Sequence, residues 1–62
     1  MTTVCFFTDG SAECALALNI IGESIPCFVR VRFSEVFDAM EIEIKCRVED
    51  VSFVESMLAP FV

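Results

Sequence analysis

Any catalytic or ligand-binding chemistry in this chain has to be built from carboxylates, thiols and hydroxyls. Its 62 residues include ten Asp and Glu and four Cys, but no His, Tyr or Trp. Without His the usual general base near neutral pH is missing, and no Ser or Cys has an activating neighbour in the sequence. The paired acids Asp9 and Glu13, or Glu35 and Asp38, have the chemistry to hold a divalent cation, yet no segment approaches the alternating oxygen ligands of a calcium loop. Cys5, Cys14, Cys27 and Cys46 stand 9, 13 and 19 positions apart, without the close pairs that zinc sites use, and read as reduced, buried thiols. The turn "TDGS" lacks the glycine pattern and the lysine of a phosphate cradle, and Asp9 repels an anion there. The residues therefore point to a protein that is not an enzyme and needs no cofactor or metal.

What remains is charge. Ten acids against four bases give −6, which disfavours binding to a nucleic-acid backbone or to an anionic membrane and suits a basic protein partner. The same acidity keeps in solution a chain that is 56% hydrophobic. At this length one domain is expected, burying only roughly 60% of the surface of the unfolded chain. A dimer contact or a partner surface is the natural outlet for the apolar excess. No basic region opens the sequence as in a secretory leader, and no apolar run reaches the ~20 residues of a membrane span, so the expected location is the cytoplasm.

The elements that position these charges follow from pattern. Residues 3–8, "TVCFFT", have strand composition, and "DGS" supplies a turn in which Asp9 or Ser11 caps a following helix. Residues 12–21 carry both a strand-like alternation (Leu16, Leu18, Ile20) and a helical repeat (Cys14, Leu18, Ile21). Ala and Leu content, with Gly22 as a stop, favours the helix, and its second apolar face is expected to stay outside the core. "CFVRVRF" and "MEIEIKCRV" alternate with period two and pair as a hairpin. In the register that puts Val31 opposite Ile42 and Phe33 opposite Met40, Arg32 meets Glu41 and Arg30 meets Glu43, with every apolar residue inside. The last segment is an amphipathic helix, with Val51, Val54 and Leu58 on one face, capped by Asp50 or by Ser52 with Glu55 and ended by Pro60.

Strand, helix, strand, strand, helix is an α+β order, that of a ferredoxin-like fold without its last strand: a three-stranded sheet with the third strand central and both helices on one face. Its first strand keeps an open edge, to be covered by the C-terminal "PFV" or by another chain. The topology gathers Asp9, Glu13, Glu35, Phe37, Asp38 and Glu41 at one end, with Arg32 the nearest base; Glu23, Glu49 and Asp50 collect at the other. Phe37, between Glu35 and Asp38, is read either as a lid on the sheet end or as an exposed anchor for an apolar pocket amid lysines and arginines. Carboxylates two apart on a strand lie roughly 6.7 Å apart, about twice the 3.4 Å axial step between phosphates, so acids on strands and turns can approximate a phosphate track.

In size, charge and lack of catalytic residues the chain resembles the small phage-encoded anti-CRISPR proteins, in particular inhibitors of type I-C systems. The resemblance implies binding to the DNA-recognition subunit of a CRISPR-Cas surveillance complex, within the bacterial host, in the basic channel that accepts target duplex. It carries over no family residue, so the six residues named above are taken from the charge map. The competing expectation is a small regulatory or dimerisation module similar to ACT domains, favoured by the open edge and the apolar first helix. The missing last strand and the lack of a glycine-rich ligand turn count against it.

Overall fold

Two alternating segments joined by a short turn form a hairpin, and the rest of the chain is arranged around it. The computed structural model describes residues Met1–Val62. Strand β1 (Thr2–Thr8) is followed by helix α1 (Ala12–Ser24), strands β2 (Cys27–Ser34) and β3 (Ala39–Cys46), a 3-10 turn (Val48–Asp50), helix α2 (Val51–Leu58) and a closing 3-10 turn (Ala59–Phe61). The sheet order is β1-β3-β2, with β3 antiparallel to both neighbours. The hairpin has the expected register: Val31 faces Ile42, Phe33 faces Met40, Arg32 faces Glu41 and Arg30 faces Glu43. No helix is long and apolar enough to cross a membrane.

A single core forms where both helices cover the inner side of β3. Ile42, Ile44 and Cys46 meet Cys14, Ala17 and Ile21 of α1 and Val54 and Leu58 of α2, all buried. From β1, Val4 and Phe6 close one flank. The other flank departs from expectation. Val29, Val31 and Phe33 point to the helix side, yet 40%, 45% and 57% of their surface remains accessible. Helix α1 runs beside β2 but leaves an open groove over it, bordered by Leu18, Asn19 and Glu23 on the helix and by Val29 and Val31 on the strand. On α1 itself Leu16 and Ile20 face away from the core and are exposed, as its second apolar face requires.

Residue 12 onward is helical, which resolves the ambiguous segment, but Gly22 does not stop the helix. It continues to Ser24 because the terminator is Pro26: the residue before a proline is pushed to extended backbone, and Ile25 has φ −139° and ψ 153° while its N–H still donates to the Ile21 carbonyl. At the other terminus Ser11 is the cap, its Oγ accepting from the Cys14 N–H at 3.2 Å. Asp9 braces the turn instead, accepting from the Ser11 N–H at 2.9 Å. Neither expected cap of α2 forms by side chain. Asp50 holds Arg47 rather than the helix N-terminus, with Nε to Oδ2 at 2.8 Å, and Val48, expected inside, is exposed in the 3-10 turn. The C-terminal turn bonds to the turn just after β1, where the Phe61 carbonyl accepts from the Asp9 N–H at 3.2 Å, and makes no backbone hydrogen bond to β1 itself.

The two glycines have opposite roles. Gly10 has φ +67°, and a Cβ there would lie 2.8 Å from Cγ of Met40, whereas a Cβ on Gly22 would meet nothing within 4 Å. Urea unfolding should therefore show Gly22→Ala raising stability by about 0.5–1 kcal/mol, and Gly10→Ala lowering it by roughly 1–2 kcal/mol.

Cys46 provides a pH signature. Burial first, then the charges of Asp50 and Cys27, raise its thiol above the ordinary value of 9.0. The folded chain thus keeps a proton that the unfolded chain gives up. The stabilisation is complete below that ordinary value and is lost as pH climbs through the raised folded one. Denaturant titrations at about pH 8 and about pH 10 should show a fall in stability that is smaller in Cys46→Ala, even though that variant is less stable at both.

Candidate functional site

The acidic end is built by two chain reversals that the topology brings to the same edge of the sheet. β1 ends at Thr8, opposite Met40, and hands over to the turn of Asp9 and the first helical turn bearing Glu13. β2 ends at Ser34, opposite Ala39, so Glu35, Val36, Phe37 and Asp38 form the hairpin loop itself. Asp38 closes it with φ +50°, a left-handed conformation that Asp tolerates better than most residues.

Pairing separates the acids into two groups. Glu41 accepts from both Nε and Nη2 of Arg32, at 3.1 and 2.9 Å, and Glu43 lies 3.8 Å from Arg30. At the far end Arg47 is shared by Glu49 and Asp50, whose hydrogen bond and charge hold the guanidinium still more firmly protonated. Asp9, Glu13, Glu35 and Asp38 have no ion-pair partner and are exposed. The one unpaired base, Lys45, lies toward the other end of β3. Of the six residues expected to form the site, four are thus free carboxylates together at one end, while Glu41 is neutralised by Arg32. The two acids with strand spacing, Glu41 and Glu43, are the arginine-bound ones, so free negative charge resides on turns and helices, Glu23 and Glu55 being unpaired as well, rather than on a strand ladder.

Phe37 takes a position between its two readings. Its ring folds back onto the outer face of the sheet against Phe7, with centroids 4.8 Å apart and planes tilted by 52°. It is nonetheless 65% exposed, so the pair holds the ring in place while leaving a broad apolar face open beside the acids.

One feature at this end has no marker in the sequence. Beneath the start of α1 lies a cleft of about 150 Å³ lined chiefly by Cys14, Ala15, Leu18, Val31, Met40 and Ile42, with Thr8, Gly10 and Ser11 at its acidic margin. Thr8 is 3% exposed and its hydroxyl has no hydrogen-bond partner. A lone Thr at a strand end looks like any β-branched residue, and only the three-dimensional surroundings show that its oxygen is stranded. No group of three or more Cys, Asp or Glu side chains is arranged to hold a metal ion.

Because the Thr8 hydroxyl is desolvated without compensation, Thr8→Val should keep the fold and leave stability unchanged or raise it by about 1 kcal/mol in denaturant titration; a marked loss would show that the hydroxyl is bonded in solution. Comparison with protein families, curated proteins and solved structures finds no match to this chain.

Proposed function

We propose that this protein is an acidic inhibitor that occupies the DNA-binding site of a CRISPR-Cas surveillance complex, presenting carboxylates where the complex expects phosphates. The observation that carries the reading is the segregation of charge. Asp9, Glu13, Glu35 and Asp38 stand without an ion-pair partner at one end, where the nearest base, Arg32, is engaged by Glu41; of the other acids only Glu23 and Glu55, on the helices, are also unpaired. A lysine- or arginine-lined channel is the complementary surface, and steering by such a field speeds association more than it deepens affinity. Phe37, held by Phe7 and largely open, supplies an apolar contact at the centre of the charged patch.

The uncovered flank of β2 favours a second reading, a small dimerisation or regulatory module in which Val29, Val31 and Phe33 meet a partner. Its binding would be largely indifferent to salt.

Reversal of Glu35 and Asp38 to Lys separates the two readings. Both side chains are exposed and unpaired, so the fold should survive the change, at a cost of about 1–2 kcal/mol for Lys at the left-handed Asp38 that a melting curve of the variant checks. The inhibitor reading expects binding to a purified type I-C surveillance complex to weaken at least tenfold, and the binding of the original chain to weaken as salt is added. Unchanged affinity in the double variant, measured at the same ionic strength, would remove the acidic end from the interface.

A further inference from the structure

Cys27 opens β2 and Cys46 closes β3, and the sheet register sets the two directly opposite one another. They lie on the same side of the sheet, in phase with Val29 and Val31 on one strand and with Ile42 and Ile44 on the other. In an antiparallel pair directly opposed residues have Cα atoms roughly 4.5 or 5.5 Å apart, according to whether they exchange backbone hydrogen bonds. A disulfide spans Cα separations of about 4.4–6.8 Å and Cβ separations of about 3.5–4.5 Å, which a non-hydrogen-bonded pair nearly meets and a hydrogen-bonded pair reaches with a small backbone adjustment. All four thiols are free, and the other two are badly placed to compete. Cys5 projects from the opposite face, across from Glu43, and Cys14 lies at the acidic end beside Met40 and Ile42.

We propose that Cys27 and Cys46 form a thiol-oxidation site, closing a cross-strand disulfide by exchange with a low-molecular-weight disulfide of the glutathione class. Exposure orders the steps, since Cys27 is half-buried and Cys46 fully buried. The Cys27 thiol gives its proton to solvent, and the thiolate attacks one sulfur of the small disulfide, forming a mixed disulfide and expelling one thiolate. The Cys46 thiol then loses its proton and attacks the Cys27 sulfur, forming the intramolecular bond and expelling the second thiolate. The two leaving thiolates take up the two protons, so two protein thiols are oxidised and one small disulfide is reduced to two thiols. The second step is the slow one, because burial disfavours the Cys46 thiolate.

The bond would pin the start of β2, an edge strand whose inner flank lacks cover, to the most buried strand of the sheet. Its effect is to stiffen the hairpin at the end remote from the loop, leaving Asp9, Glu13, Glu35 and Asp38 where they are.

Equilibration of the folded chain with mixtures of oxidised and reduced glutathione, followed by acid quench, alkylation and peptide mapping, tests the proposal. The expected product is a monomer lighter by two hydrogens, with a bridged Cys27–Cys46 peptide, alkylated Cys5 and Cys14, and a Tm several degrees above that of the reduced chain. Cys27→Ser, treated in parallel, should show no bridged peptide, with Cys46 still alkylatable on unfolding. Four alkylatable thiols at every glutathione ratio, a glutathione adduct on Cys27 that never resolves, or a bridge joining any other pair would overturn it.

Discussion

The structure depends on β3 being the shared, doubly paired strand. Its inner residues Ile42, Ile44 and Cys46 are the only strand side chains besides Thr8 to be fully removed from water, and its outer residues Glu41, Glu43 and Lys45 are all charged. A slip of one residue would drive carboxylates into the core and isoleucines out of it, so the register is held by burial rather than by the ion pairs. The ion pairs follow from it. Because β3 is fixed, Arg30 and Arg32 are set opposite Glu43 and Glu41 and spent there. The negative charge of the acidic end is therefore a consequence of strand pairing and not only of composition.

The small size of the domain accounts for the rest of its surface. Only nine residues are buried although more than half of the chain is hydrophobic, so apolar side chains must lie outside. They are not scattered evenly. Val29, Val31 and Phe33 line the flank of β2, Leu16 and Ile20 the back of α1, and Phe37 and Val36 the hairpin loop. The loop contributes apolar area within the acidic end, while on α1 Leu16 and Ile20 lie one turn from the unpaired Glu13 and Glu23, and Glu23 borders the groove that Val29 and Val31 line.

Pairing was legible in the sequence because two independent signals agreed there, the alternation of apolar residues and the match of arginines to glutamates. The gathering of Asp9, Glu13, Glu35 and Asp38 is legible for a different reason, since element order alone brings the segments that carry them together. Coverage was not legible. Alternation tells which way Val31 points but not whether a helix closes over it, and that depends on how α1 sits beside β2. The end of α1 is not legible from Gly22, which resembles a stop, because the restriction imposed by Pro26 on Ile25 decides it. Cys5 fell outside the buried set because its parity in β1 places it on the outer face, which no helix covers. The stranded hydroxyl of Thr8 has no sequence signal at all.

Competition for the DNA site tests the central claim most directly. A type I-C surveillance complex would be pre-bound to target duplex and challenged with the protein, and the order of addition then reversed. Mutual exclusion in both orders, relieved by raising the concentration of the displaced ligand, is the result expected of an acidic end seated in the DNA channel. A ternary complex holding both the duplex and the protein would contradict it.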